Sequence, residues 1–181
     1  REAYEGRLRI LGETHTETLS SMSNLGGLLD YMKKYEEANT LLVSALEGQT
    51  ARMGPNAINT YMAETNLGVN LYHLGDVEGA TEHIQRAFDG FMKSLGPRHP
   101  NTLSLMNSLA VMYEKSGRID EAIVYYRQSL ETLREILEPQ HPTILETAHN
   151  FGITLMDLGR YEEAEQYLLE ALAGWQALKH Q

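Results

Sequence analysis

Residues 95–110 read LGPRHPNTLSLMNSLA. A Gly-Pro, a His-Pro, a Thr-Leu and a small-residue step fall close together, and the arrangement recurs. LGETHTETLSSMSNLG begins at residue 11, MGPNAINTYMAETNLG at 53 and LEPQHPTILETAHNFG at 137. The four starts are 42 residues apart each time, with no insertion. Four full repeats therefore run 11–52, 53–94, 95–136 and 137–178. Residues 1–10 align with 127–136, the tail of a repeat, so residues 1–181 read as a single array opened by a truncated unit. Self-similarity at such a period is the mark of a repeat architecture.

Each repeat reads as two helices. In the third, Leu103, Met106, Leu109, Ala110 and Tyr113 recur at three- and four-residue steps, one apolar stripe. The run KSGR interrupts it, and Ile119, Ala122, Ile123, Tyr126, Leu130, Leu133 and Ile136 form a second stripe. The interrupting column is Lys33, Gly75, Gly117 and Gly159. Glycine there takes the left-handed conformation that ends a helix, and Lys33 is expected to manage differently. HPNTL is a helix start: Pro100 has its φ preset and lacks the N–H that a first turn leaves unpaired. Pro97 helps to end the helix before it. His15, His99 and His141 share the column at this junction and are expected to cap the turn. The second repeat has Ala57 and Ile58 where others have His-Pro, and its first helix is expected to start less cleanly.

Small residues locate the packing. One column is Gly26, Gly68, Ala110 and Gly152; twelve residues on stand Ala38, Ala80, Ala122 and Ala164; seven further on stand Ala45, Ala87, Ser129 and Ala171. A helical glycine costs about 1 kcal/mol against alanine. Three repeats carry that cost at one position, which points to a close crossing between the two helices of each repeat.

The Leu-Gly step, the alanine twelve residues later and the alanine seven after that resemble the tetratricopeptide repeat. Its usual period is about 34 residues. The eight extra residues here lengthen each helix by about four, or roughly 6 Å. HPNTL, NSLAVMYEKSGRIDEAI and GRYEEAEQYLLEAL carry a likeness to the longer repeats of kinesin light chains, and it covers essentially the whole chain. Similar repeats occur in bacterial and fungal proteins, including sensors that join them to a nucleotide-binding module. The resemblance implies an all-α, right-handed superhelical solenoid of antiparallel helix pairs, with the first helix of each repeat lining a concave face. It implies a protein-interaction scaffold that binds a partner's peptide or helix in that groove.

Asn24, Asn66, Ser108 and Asn150 stand just before the Leu-Gly step. Asparagine is a poor helix-interior residue and offers both a donor and an acceptor. A ladder of amides, one per repeat, suits the backbone of an extended peptide, and the resemblance supports this use. It equally suits hydrogen bonds that hold the stack. Flanking columns add Asn107 and His149 on one side and Val69, Val111, Tyr72 and Glu114 on the other. That surface is mixed apolar and weakly acidic. It has no cluster of Lys and Arg such as the resemblance associates with capture of a C-terminal carboxylate. A partner with apolar anchors and some positive charge is expected.

Composition excludes other classes. The formal net charge is −10, with fifteen Lys and Arg scattered among twenty-five acids, so nucleic acid and anionic membranes are not expected partners. No apolar run reaches membrane-spanning length. The first ten residues have neither a signal-peptide core nor an initiator Met, so the sequence reads as an internal piece of a cytoplasmic protein. There is no cysteine. Of the seven histidines, three belong to the capping column, and His73, His83, His149 and His180 form no HExxH or other ligand spacing. No phosphate-binding loop or nucleophile elbow appears. No metal, cofactor or catalytic activity is expected. Acidic pairs such as Glu36–Glu37 and Glu162–Glu163 recur at the start of second helices, where carboxylates favour the helix dipole. Trp175, in the last helix, is expected in the core. Leu169 stands where earlier repeats have Val43, Gln85 and Arg127, so the last helix lacks the polar face that ends a solenoid. Either the array continues past this helix, which is the favoured reading, or that end meets another copy; the second leaves an alternative function, an architectural arm or end-to-end self-association through that helix.

Overall fold

The structure is a computed structural model and describes residues 2–179. Among these residues there are nine α-helices and no strand. They are α1 (Glu2–Leu11), α2 (Thr16–Tyr31), α3 (Tyr35–Met53), α4 (Ile58–Leu74), α5 (Val77–Leu95), α6 (Pro100–Lys115), α7 (Ile119–Ile136), α8 (Pro142–Asp157) and α9 (Tyr161–Lys179). The pairs α2/α3, α4/α5, α6/α7 and α8/α9 each begin five residues into one 42-residue repeat and end within a residue of its last position, and α1 stands in the place of a second helix. The helices gather into two compact units, one up to Ser94 and one from Leu95 onward.

The junction histidines are caps. Nδ1 of His15, His99 and His141 accepts the backbone N–H of Glu17, Asn101 and Thr143 at 3.2, 3.2 and 3.3 Å. Each ring satisfies one donor that the first turn of a helix leaves open. Ala57 opens α4 with no side-chain cap.

Helix ends follow one pattern, and here Lys33 departs from expectation. It takes the left-handed conformation itself, with φ 61°, beside φ 90°, 77° and 73° at Gly75, Gly117 and Gly159. The hydrogen bond that spans the turn is present each time: Lys34 N to Leu29 O, Asp76 N to Leu71 O, Arg118 N to Tyr113 O and Arg160 N to Leu155 O, all at 2.8–2.9 Å. The turn between the helices of a repeat is thus one rigid element. In the first repeat it forces a side chain into a conformation that costs about 1 kcal/mol or more.

Two of the second helices, α7 and α9, begin with a lock. Arg118 Nε donates to Glu121 at 2.9 Å and Arg160 Nε to Glu163 at 2.9 Å. These bonds hold both carboxyls below their ordinary range. Their contribution to stability is present above the ordinary carboxylate pKa and is lost as the pH falls through the depressed value.

The helix crossing lies where the small residues place it. A Cβ built on Gly26 comes 2.6 Å from Leu42 Cγ and 3.5 Å from the Ala38 carbonyl oxygen. On Gly68 it comes 2.7 Å from Ile84 Cγ1 and 3.2 Å from Ala80 O; on Gly152, 2.7 Å from Leu168 Cγ and 3.3 Å from Ala164 O. The alanines of the partner columns are buried. A further column, Gly48, Gly90 and Gly174, does the same near the other end of each crossing, under Leu19, Tyr61 and Leu145. Between repeats, Leu67 of α4 joins the core formed by Leu29, Ala38 and Leu42. In the second unit, Tyr126 of α7 stacks on Phe151 of α8 at 5.4 Å.

Trp175 is not in the core. It is 38% exposed and meets the His149 ring at 5.3 Å between centroids. Its column holds buried Phe91 and Leu133 in the two repeats before it.

Gly68→Ala gains about 1 kcal/mol of helix propensity but overpacks against Ile84 and the α5 backbone, at about 1–3 kcal/mol. Thermal unfolding should show a net loss of stability. Gly6→Ala in α1, where a Cβ meets nothing within 4 Å, should be neutral or stabilising. Equal effects at the two sites would refute the close crossing.

Candidate functional site

Helix geometry decides which residues the first helices present. Successive residues turn by about 100°, so a residue two before the crossing glycine points about 200° away from the second helix. Asn24, Asn66, Ser108 and Asn150 hold that position in α2, α4, α6 and α8. Asn24 is exposed; Asn66, Ser108 and Asn150 are half-buried, as are Asn107, His149, Val69, Val111, Tyr72 and Glu114.

In the first unit, Asn24 and Asn66 share a cavity of about 100 Å³ with Ser20, Ser23, Asn59, Met62 and Gln49. Asn66 Nδ2 donates to Ser23 Oγ at 3.0 Å, across from α4 to α2. Asn24 makes no hydrogen bond within the described residues. The two amides thus differ: Asn66 ties neighbouring repeats, and Asn24 is open. Val69 and Tyr72 follow on α4, and Tyr72 lies 5.9 Å from the His73 ring.

In the second unit, Ser108 donates to Ser104 O in its own helix at 3.1 Å, so its hydroxyl is used locally. Asn107 Oδ1 is buried without a partner. The side chain of Asn150 bonds nothing among the described residues. Glu114 is engaged from several sides. Its Oε2 accepts Thr154 Oγ1 at 2.6 Å and the Tyr126 hydroxyl at 3.4 Å, and its Oε1 accepts Lys115 Nζ at 3.0 Å.

The acidic column has a role that the pattern alone did not reveal. Asp30, which precedes Glu114 by two repeats, is buried. Its Oδ1 accepts Asn70 Nδ2 at 2.9 Å, and its Oδ2 lies 2.8 Å from His73 Nδ1. Asn70 also donates to Tyr35 O at 3.0 Å and accepts from Asn39 at 3.1 Å. Asp30 and Glu114 each bind the first helix of the following repeat. Asn70 and Thr154 stand in one column and receive them. Leu28 and Met112 fill that column elsewhere, which hides its polar use.

Among the described residues, no three His, Asp or Glu side chains gather as metal ligands. No described helix is long and apolar enough to cross a membrane. His180 lies outside the described residues.

Family models for the tetratricopeptide repeat match residues 59–135, 105–177 and 18–56. The chain belongs to the tetratricopeptide repeat family. Tetratricopeptide repeats mediate protein–protein interaction, and their scaffolds are typically non-enzymatic. The solved structures it resembles include BtubC (BKLC) from P. vanneervenii, at 20% identity and TM-score 0.82 over 90% of this chain and 65% of that one. The tetratricopeptide chain therefore spans a little under two thirds of BtubC. A putative kinesin light chain from Podosopora anserina, with nearly identical TPR-like repeats, matches at 21% identity and TM-score 0.80, over 98% of this chain and 84% of that one. Aspartyl phosphate phosphatase F from Bacillus subtilis matches at 16% identity and TM-score 0.77, over 91% of this chain and 42% of that one. At these identities the likeness is one of fold. No curated protein sequence matches the chain.

Asn70 is fully buried, and Asn70→Ala leaves Asp30 Oδ1 and Tyr35 O without their donor. Urea unfolding should show a loss of about 2–3 kcal/mol. A loss under about 0.5 kcal/mol, within the range of ordinary surface changes, would show that this network does not hold the first two repeats together.

Proposed function

We propose that the protein is an interaction scaffold whose first helices take up an extended peptide or a helix of a partner. The observation that carries this reading is the pair Asn24 and Asn66. They face one cavity, and Asn24 is exposed with its amide unspent. An amide of that kind both donates to and accepts from a peptide backbone. Asn150, also without a side-chain partner, offers the same contact in the second unit. Val69, Val111 and Tyr72 supply half-buried apolar surface for anchoring side chains. The net charge of −10 favours a partner that carries positive charge and speeds its encounter.

Peptides selected from a displayed random library on the wild-type protein provide the probe. Replacing Asn24, Asn66 and Asn150 together by Ala should weaken their binding by about tenfold, with helical circular dichroism retained. Asn24→Ala alone should weaken binding without moving the unfolding midpoint, because that side chain holds nothing in the fold. Unchanged affinity in the triple variant would overturn the reading.

A second reading has its own support. Leu169, Leu172, Tyr161 and Met156 are 56%, 50%, 65% and 42% exposed and line one cavity of about 570 Å³ on α8 and α9. Leu168, in the same cavity, holds the column of Tyr126, which in the preceding repeat stacks on α8. This apolar face is therefore left uncovered, and a second copy of the chain is the occupant we infer. Light scattering should then show a larger species that Leu169→Arg returns to a monomer. A monomer before and after the change would dispose of self-association.

A further inference from the structure

We infer that the cavity between α2, α3 and α4 is a pocket for a primary carboxamide, the side chain of an asparagine or glutamine in the bound peptide. The inference rests on the groove reading above and names what one of its subsites selects.

The starting point is Gln49. Its column holds Phe91, Leu133 and Trp175 in the other full repeats, so among the four the first alone places a polar side chain there. Gln49 is 2% exposed, and its Oε1 is buried without any hydrogen-bond partner. A buried acceptor left unpaired is costly, and an apolar residue in its place would incur no such cost. Nothing within the repeat accounts for the choice of glutamine.

Ser23 forms the same wall. It is 4% exposed, and its Oγ accepts the Asn66 amide. Its own hydroxyl proton goes to no group among the described residues, Gln49 included. Gln49 and Ser23 thus line one small cavity and carry an acceptor and a hydroxyl donor that do not reach each other. The exposed residues Asn24 and Met62 stand at the rim.

The chemistry of the occupant follows. A carboxamide brings N–H donors for Gln49 Oε1 and a carbonyl oxygen for the Ser23 hydroxyl or the Asn24 amide. A carboxylate has no proton for Gln49. An ammonium or guanidinium finds no acid in the lining, and burying a charge without a partner is prohibitive. An aliphatic group leaves both polar groups unpaired. The volume, about 100 Å³, is a space for a small side chain.

The probes are the N-acetyl, N-methylamide derivatives of glutamine, asparagine, aspartate and alanine, titrated into the ¹⁵N-labelled protein. The Gln49 side-chain NH₂ signal is identified by its loss in Gln49→Leu. The glutamine or asparagine derivative should shift the Gln49 and Asn24 amide signals along a saturating curve. The aspartate and alanine derivatives should not, and Gln49→Leu should abolish the Asn24 response. The same variant should unfold at a higher temperature than the wild type, since leucine suits this column in the third repeat. No saturable shift with any derivative means that water alone fills the cavity and overturns the inference. So does an equal response to the alanine derivative, or a lower unfolding temperature for Gln49→Leu, which would make Gln49 a structural residue. The wild-type titration stands even if the variant fails to fold.

Library-selected peptides separate this inference from the groove reading. Peptides that bind, but whose affinity is unchanged both by replacing their Asn and Gln with Ala and by Gln49→Leu, remove the pocket and leave the groove. A saturable carboxamide shift with no peptide selected removes the groove and leaves the pocket. If both hold, either change should weaken binding by about tenfold.

Discussion

The close crossing of two helices governs this structure. At Gly26, Gly68 and Gly152 a methyl group would collide with the side chains of Leu42, Ile84 and Leu168 on the second helix. The glycines of the other column, under Leu19, Tyr61 and Leu145, keep the approach close near the far end. Each helical glycine weakens its own helix. The approach offsets that by burying the alanine columns and their apolar neighbours, and protein interiors are packed too densely to leave such a gap unfilled. Because the crossing fixes which side of the first helix faces inward, it also fixes which side faces out. That is how Asn24 comes to be exposed two residues from a buried glycine.

Stacking one pair on the next uses less uniform means. In the first unit a buried carboxylate, Asp30, takes hydrogen bonds from the next repeat through Asn70 and sits beside His73. In the second, Glu114 receives Thr154 and Tyr126 while keeping part of its surface in solvent. Both place an acid at the same point of the repeat, and both find a donor on the following first helix. The outer ion pairs between neighbouring second helices, Arg127 with Glu163 and Arg134 with Glu170, are half-exposed. Pairs of that kind contribute about 0–1 kcal/mol, so the buried polar contacts and the apolar core carry the stack.

The stack leaves some polar side chains unspent. Asn66 serves the fold through Ser23, and Ser108 bonds its own helix. Asn24 and Asn150 remain open. The ladder read from the sequence is therefore uneven, with some rungs used to join repeats. The acidic column is uneven too: Asp30 is consumed by the fold and Tyr72 is not.

The sequence by itself determined the period of 42, the helix pair within each repeat, the histidine caps and the crossing at Gly26 and Ala38. These are local or strictly periodic properties: φ preferences, first-turn donors, and the face that small or apolar residues share. Only the tertiary structure decided that Lys33 takes the left-handed turn as the glycines do, that Trp175 stays partly in solvent, that Asn70 and Thr154 receive the acids, and that Gln49 has no partner. Such pairings depend on how far apart two helices lie and how they are rotated. Hydrogen bonds form or fail over a few tenths of an ångström, and no pattern along one helix encodes that separation.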